Sequence, residues 1–92
     1  MKRESAETLA LQALGWLVGE DDLRDVFLGA TGTSEADLRA PATEAEFLAS
    51  VLDFLLMDDA WVVRFCDAYG HGYPDPMMAR AALPGGEAVH WT

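Results

Sequence analysis

Apolar side chains recur at helical spacing in the first third of the chain, between residues that start and stop helices. Ser5 can cap a first helix, which ends at Gly19. The acidic residues 20–22 follow at once and suit the start of a second helix, which ends at Gly32. Its inward stripe is predicted at Leu23, Val26, Phe27 and Ala30. The pattern therefore predicts a helical hairpin.

The middle of the chain predicts a short helix and then a longer one. Ser34 can cap the short helix, and Pro41 ends it because the residue before a proline is pushed out of the helical region. Thr43 and Glu46 have the spacing of a capping box, which opens a fourth helix that is apolar through Leu56. Both the first and the fourth helix are apolar around most of their circumference, as expected when neighbours pack on several sides.

The last third of the chain predicts two more helices, joined by a loop. The acidic pair at residues 58–59 starts a fifth helix, which ends at Gly70. Asp75 as the cap and Pro76 at the first helical position open a short sixth helix, and residues 84–92 form a tail. We therefore predict an all-α, compact bundle of about six helices, two of them long and central, in a single domain of 92 residues.

The two halves of the chain resemble each other. A shift of 38 residues places residues 14–32 over residues 52–70 and makes six of the 19 pairs identical. These pairs are Leu14/Leu52, Leu17/Leu55, Asp21/Asp59, Phe27/Phe65, Ala30/Ala68 and Gly32/Gly70. The predicted caps and the acidic helix starts coincide at the same shift. We predict a duplication, residues 5–41 and 43–83, with the copies related by a pseudo-twofold axis; convergence of two unrelated hairpins is the alternative.

Composition indicates a folded protein and narrows its partners. With 51% hydrophobic and 24% charged residues the chain is too apolar for a disordered protein. Its net charge is −10, and the six basic residues are scattered along the sequence. Phosphate backbones would be repelled, so we expect no nucleic-acid binding, whereas a partner with a basic face would be attracted.

The cysteine count and the hydropathy of the chain indicate in which cellular compartment the protein is found. The lone Cys66 cannot form an internal disulfide, and the first residues do not resemble a signal peptide. Uninterrupted apolar runs such as residues 54–57 are far too short to span a membrane. We expect a cytoplasmic protein without membrane association.

Three stretches resemble a bacterial family of about this length that is catalogued only as a domain of unknown function. They are residues 7–17 (ETLALQALGWL), 46–56 (EFLASVLDFLL) and 79–87 (ARAALPGGE). The resemblance spans nearly the whole chain. It implies a small, cytoplasmic, helical protein, and it brings no catalytic or ligand-binding residues with it.

Two groups of residues could carry chemistry, and each has a structural interpretation. Cys66 and His71 could form a thiol and base pair, but the predicted helix places Cys66 on an apolar face, where the thiolate is disfavoured. The acids at 20–22, 25 and 58–59 could bind Ca²⁺ or Mg²⁺, yet capping and the helix dipole explain them equally. No zinc pattern or phosphate-binding loop occurs. We predict no catalytic residue, no metal ligand and no cofactor.

The second half of the chain is rich in large apolar side chains. Trp61 is expected in the core, whereas Tyr73, Met77, Met78 and Trp91 are predicted to bind a partner, because aromatic and Met residues are enriched at interfaces. The predicted function is a non-catalytic interaction or accessory module, either a homodimer or bound to a locally basic protein. The alternative is a small ligand or divalent cation bound between the two hairpins, in a cleft lined by Trp16 and Phe54.

Overall fold

A computed structural model describes residues 1–31 and 45–83, which form five helices. These are α1 (Arg3–Gly19), α2 (Asp21–Thr31), α3 (Ala45–Leu55), α4 (Asp59–Tyr69) and α5 (Asp75–Ala82). The predicted all-α class is confirmed. About six helices were expected; the predicted helix between Ser34 and Pro41 and the predicted tail at 84–92 both lie outside the described residues. None of the described helices is long and apolar enough to cross a membrane.

The helix ends follow local chemistry, with one correction in α1. Asp58 caps α4 as predicted, since its Oδ1 accepts from the Ala60 N–H at 2.8 Å. The predicted Ser5 cap is wrong, because α1 begins two residues earlier, at Arg3. An ion pair between Arg3 and Glu7, at 3.4 Å, supports this additional turn, so Ser5 lies inside the helix.

The core is built mainly by α1 and α3. These two helices supply seven and six of the 20 buried apolar residues in the described part of the chain, so both are central, as predicted. Helix α1 has 17 residues, and α3, which starts at residue 45 where the described part resumes, has 11, as α2 and α4 do. The apolar sequence continues beyond Leu55, but the chain turns there and leaves the Met57 side chain 75% exposed.

The buried face of α2 differs from the predicted apolar stripe. In α2 the side chains of Leu23 and Phe27 are buried, as predicted, but Val26 is 53% exposed and Ala30 is exposed. Leu28 packs against the core instead. Val26 and Leu28 flank Phe27 on opposite sides of the helix, and the position of the neighbouring helices covers the side that carries Leu28.

Aromatic contacts pair the second helix of each hairpin with the first helix of the other hairpin. Phe27 of α2 meets Phe54 of α3 with centroids 5.3 Å apart, and Phe65 of α4 meets Trp16 of α1 at 5.9 Å, both edge to face. At the 38-residue shift Phe27 corresponds to Phe65 and Trp16 to Phe54. Each hairpin therefore places its second-helix phenylalanine on the first helix of the other hairpin, as a twofold arrangement would. The duplication at residues 5–41 and 43–83 stays a prediction.

Candidate functional site

The connection between α4 and α5 begins with a tight helix stop. Gly70 has a φ of 74°, in the left-handed region that favours glycine. The N–H groups of Gly70 and His71 both donate to the Cys66 carbonyl, at 2.8 and 3.0 Å. This stop turns the chain back toward α1 and fixes where the following loop begins.

Hydrogen bonds hold the loop at both ends. The Cys66 Sγ lies 3.5 Å from the Gly72 carbonyl, to which it donates, and the Gly72 N–H donates to Asp75 Oδ2 at 3.1 Å. His71 stacks on Phe65, and its Nε2 lies 2.6 Å from Gln12 Oε1 on α1. The loop is therefore attached to the core and to α1.

The bond from Gly72 also explains a shift at the start of α5. Asp75 was predicted as the cap and Pro76 as the first helical residue. In the structure Pro74 is the cap, Asp75 the first helical residue and Pro76 the second. Asp75 is itself in the helix, and its carboxylate accepts from the Gly72 N–H of the loop upstream.

Helix α5 buries its small residues and exposes its large ones. Pro76, Ala79 and the following Leu83 are buried against the core. Met77 and Met78 point away from the core, with 67% and 48% of their surfaces exposed. The Arg80 Nε lies 2.6 Å from Asp53 Oδ1 of α3, which fixes the rotation of the helix.

Tyr73 precedes these methionines in the sequence, at the end of the loop, and is 53% exposed. Its hydroxyl donates to Asp67 Oδ1 of α4 at 2.8 Å. This hydrogen bond and the carboxylate charge raise the pKa of the Tyr73 phenol, because both favour its protonated form. We call the exposed side chains of Tyr73, Met77 and Met78 the Tyr–Met face.

Three of the four predicted site residues lie in the described part of the chain. Tyr73, Met77 and Met78 lie within six residues of one another on one anchored segment, and all are exposed. Trp91 lies outside the described residues. Trp61 is partly buried and stacks on Phe54 at 5.0 Å, which agrees with its predicted place in the core.

The environment of Cys66 is that of a buried structural thiol. The side chain is almost fully buried, and burial raises its pKa, with Asp75 and Asp67 adding in the same direction. A thiol in this environment is held in its neutral form, which is a poor nucleophile. His71 follows α4 in the loop, and its polar contacts are with Gln12 and Asp75.

Two of the acids considered as metal ligands, Glu20 and Asp22, form ion pairs with an arginine. Arg64 of α4 reaches Glu20 at 2.9 Å and Asp22 at 3.2 Å, and its guanidinium lies over the Trp16 ring, 5.4 Å from the centroid. The Arg64 hydrogen bond lowers the pKa of Asp22. Among the described residues no three acid, His or Cys side chains converge so as to hold a metal ion.

Arg64 and Asp67 were not among the predicted site residues. The sequence indicates a role for Arg64 only weakly. It is one of six basic residues in a chain of net charge −10, and it follows the acidic start of α4 by about one and a half turns. Its partners lie 42 and 44 residues away in sequence. Pairing over that distance cannot be read from local spacing.

Two surface cavities lie beside the central helices. One, of about 420 Å³, is formed by one face of α1 and by His71. The other, of about 320 Å³, is lined by Ala30 of α2 and by residues of α3 that include Phe54. The predicted cleft was to be lined by both Trp16 and Phe54, but Trp16 is buried beneath Arg64 and lines neither cavity.

Comparison with protein families gives one match. The family model described as "Protein of unknown function (DUF3572)" matches residues 3–86. No curated protein and no solved structure matches the chain. The match covers most of the chain and confirms the resemblance from the sequence to a domain of unknown function.

Proposed function

We propose that this chain, a member of the DUF3572 family of proteins of unknown function, is a non-catalytic accessory module that binds a partner protein through the Tyr–Met face. The site is provided by the loop and by α5, while the other four described helices serve as its support. We place the module in the cytoplasm, where its single free thiol, Cys66, would remain reduced.

One observation carries the proposal: large apolar side chains stand exposed on an element that is firmly attached. Met77 and Met78 lie between the buried Pro76 and Ala79 in sequence, so rotating the helix to bury them would expose those two residues. The Tyr73 hydroxyl is hydrogen-bonded to Asp67. Because the backbone that carries these side chains is already anchored, it loses little further freedom when a partner binds, which favours a protein interface.

Charge indicates the kind of partner. The four described arginines, 3, 24, 64 and 80, all lie within 4.0 Å of carboxylates of this chain. The acidic excess is therefore presented to solvent. Two copies of a chain with net charge −10 repel each other, so a partner with a basic surface is favoured over a homodimer.

The test compares two exposed methionines. Met77→Glu places a charge in the Tyr–Met face, and Met57→Glu places the same charge at the end of α3. Each variant and the native protein are used as bait in native extract, and captured proteins are identified by mass spectrometry. We expect a partner that the native protein and Met57→Glu retain and that Met77→Glu loses. Identical captured sets for all three baits would contradict the proposal.

A second candidate function rests on the cavity of about 420 Å³. It lies along one face of α1, where its lining includes hydroxyl, carboxylate and amide groups of α1 and the imidazole of His71. A small polar ligand there would be detected by a fragment screen using backbone NMR signals. Thr8→Trp would fill the cavity, so it should abolish any specific binding; fragments that bind the variant equally would refute this function.

A further inference from the structure

The Tyr–Met face has a polar edge. Asp67 and Tyr73 are both exposed, and the hydrogen bond between them uses Asp67 Oδ1 and the phenol proton. Each carboxylate oxygen accepts two hydrogen bonds, so Asp67 retains the capacity to bind a further donor. A carboxylate and an aromatic ring are thus held side by side in a fixed geometry.

The protein already binds an arginine with the same pair of groups elsewhere. Arg64 lies over the Trp16 ring while its guanidinium donates to the carboxylates of Glu20 and Asp22. A planar guanidinium can stack on a ring and pair with a carboxylate at the same time. At the Trp16 site the arginine belongs to the chain itself. At Tyr73 and Asp67 the equivalent cation would have to come from elsewhere.

The local sequence leaves this edge acidic. Residues 65–79 contain two acids, Asp67 and Asp75, and no lysine or arginine. A basic side chain approaching Tyr73 would meet carboxylates and no competing cation from this segment. Opposite charges at the edge of an apolar contact area favour the correct partner and its orientation.

We propose that the partner segment is amphipathic and basic, with one Arg or Lys side chain against Asp67 and the Tyr73 ring and an apolar side chain against Met77 and Met78. This inference rests on the proposed function and specifies the partner of the same face. It predicts that binding depends on salt and on the charge of a single carboxylate.

The test uses a blocked amphipathic peptide of about 16 residues, long enough to form a helix, with leucines on one face and arginines beside them. A second peptide carries citrulline, the neutral isostere, in place of arginine. Both are titrated by NMR against the isotope-labelled native chain and against Asp67→Asn, Asp59→Asn and Met77→Glu. In Asp67→Asn the amide oxygen would still accept the Tyr73 proton, and Asp59 offers the same charge change eight residues earlier on α4.

We expect the arginine peptide to shift signals of the loop and α5. It should bind the native chain about threefold to fivefold more tightly than the citrulline peptide, the range of an exposed ion pair. Asp67→Asn should remove this preference and Asp59→Asn should keep it. No binding of the arginine peptide, or an arginine preference that survives in Asp67→Asn, would overturn the inference.

The two proposals fail in different ways. If the native chain binds both peptides equally and Met77→Glu binds neither, the basic contact is wrong and the Tyr–Met face stands as the docking surface. If Asp67→Asn removes the preference but Met77→Glu binds as tightly as the native chain, the Tyr–Met face is wrong and the proposed function falls with it.

Discussion

Phe27 and Val26 are neighbours in α2, and replacing each by alanine measures which of them faces the core. The Phe27 side chain is fully buried, with its ring against Phe54 at 5.3 Å and against Phe47 at 6.5 Å. Truncating such a phenylalanine costs about 3–5 kcal/mol. A domain of this size has a stability of roughly 5–13 kcal/mol, so Phe27→Ala should remove a large part of it. Val26→Ala should change stability by less than about 0.5 kcal/mol, since the side chain is exposed.

Urea unfolding followed by circular dichroism and by tryptophan fluorescence measures both values. Coincident transitions and an unchanged urea dependence would show that the two variants unfold in the same two-state manner as the native chain. A larger loss for Val26→Ala than for Phe27→Ala would refute the orientation of α2 described above. A loss below about 1 kcal/mol for Phe27→Ala would refute its place in a well-packed core.

Three further predictions concern an ion pair, a buried thiol and two glycines. The folded-state pKa of Asp22 is lowered by Arg64, so this pair stabilises the fold above the ordinary Asp pKa and the contribution is lost as the pH falls through the folded value. Arg64→Met should therefore flatten the acid side of the stability–pH curve, and an unchanged curve would contradict the pairing. Cys66 should resist iodoacetamide at neutral pH until urea unfolds the chain; rapid alkylation of the native protein would disprove its burial. Gly70→Ala should cost about 1–2 kcal/mol because of its positive φ, while Gly29→Ala, inside α2 and with open space around it, should gain about 0.5–1 kcal/mol; urea unfolding decides both signs.

Helix ends were predictable wherever one local interaction decides them. Asp58 has no competing role, and it caps α4 as the sequence indicates. Ser5 and Asp75 have the right chemistry for caps, yet the chain uses neither as one: α1 begins before Ser5, and Asp75 lies within α5 with its carboxylate bonded to the Gly72 N–H. A cap is a competition among nearby groups, and its winner depends on the path of the chain outside the helix.

Helix faces and long-range pairs were less predictable. In α2 the periodicity allowed Val26 or Leu28 beside Phe27, and only the position of the neighbouring helices decides between them. The acids at the start of α2 suited both a cation and the helix dipole, but Arg64, more than 40 residues away, determines their contacts. Tertiary geometry selects among contacts that the local sequence leaves equally open.

The candidate site could be inferred because α5 reverses the usual arrangement of side-chain sizes. A surface helix normally turns its largest apolar groups inward, since their burial contributes most to stability. Here Pro76 and Ala79 face the core, and Met77 and Met78 face solvent. The buried Ala79 allows α5 to pack closely on the core, so stability alone accounts for a small residue there, but it does not account for two large apolar side chains that face solvent. A surface to which a partner binds would account for them, and the functional tests therefore concentrate on Met77, Met78 and Tyr73.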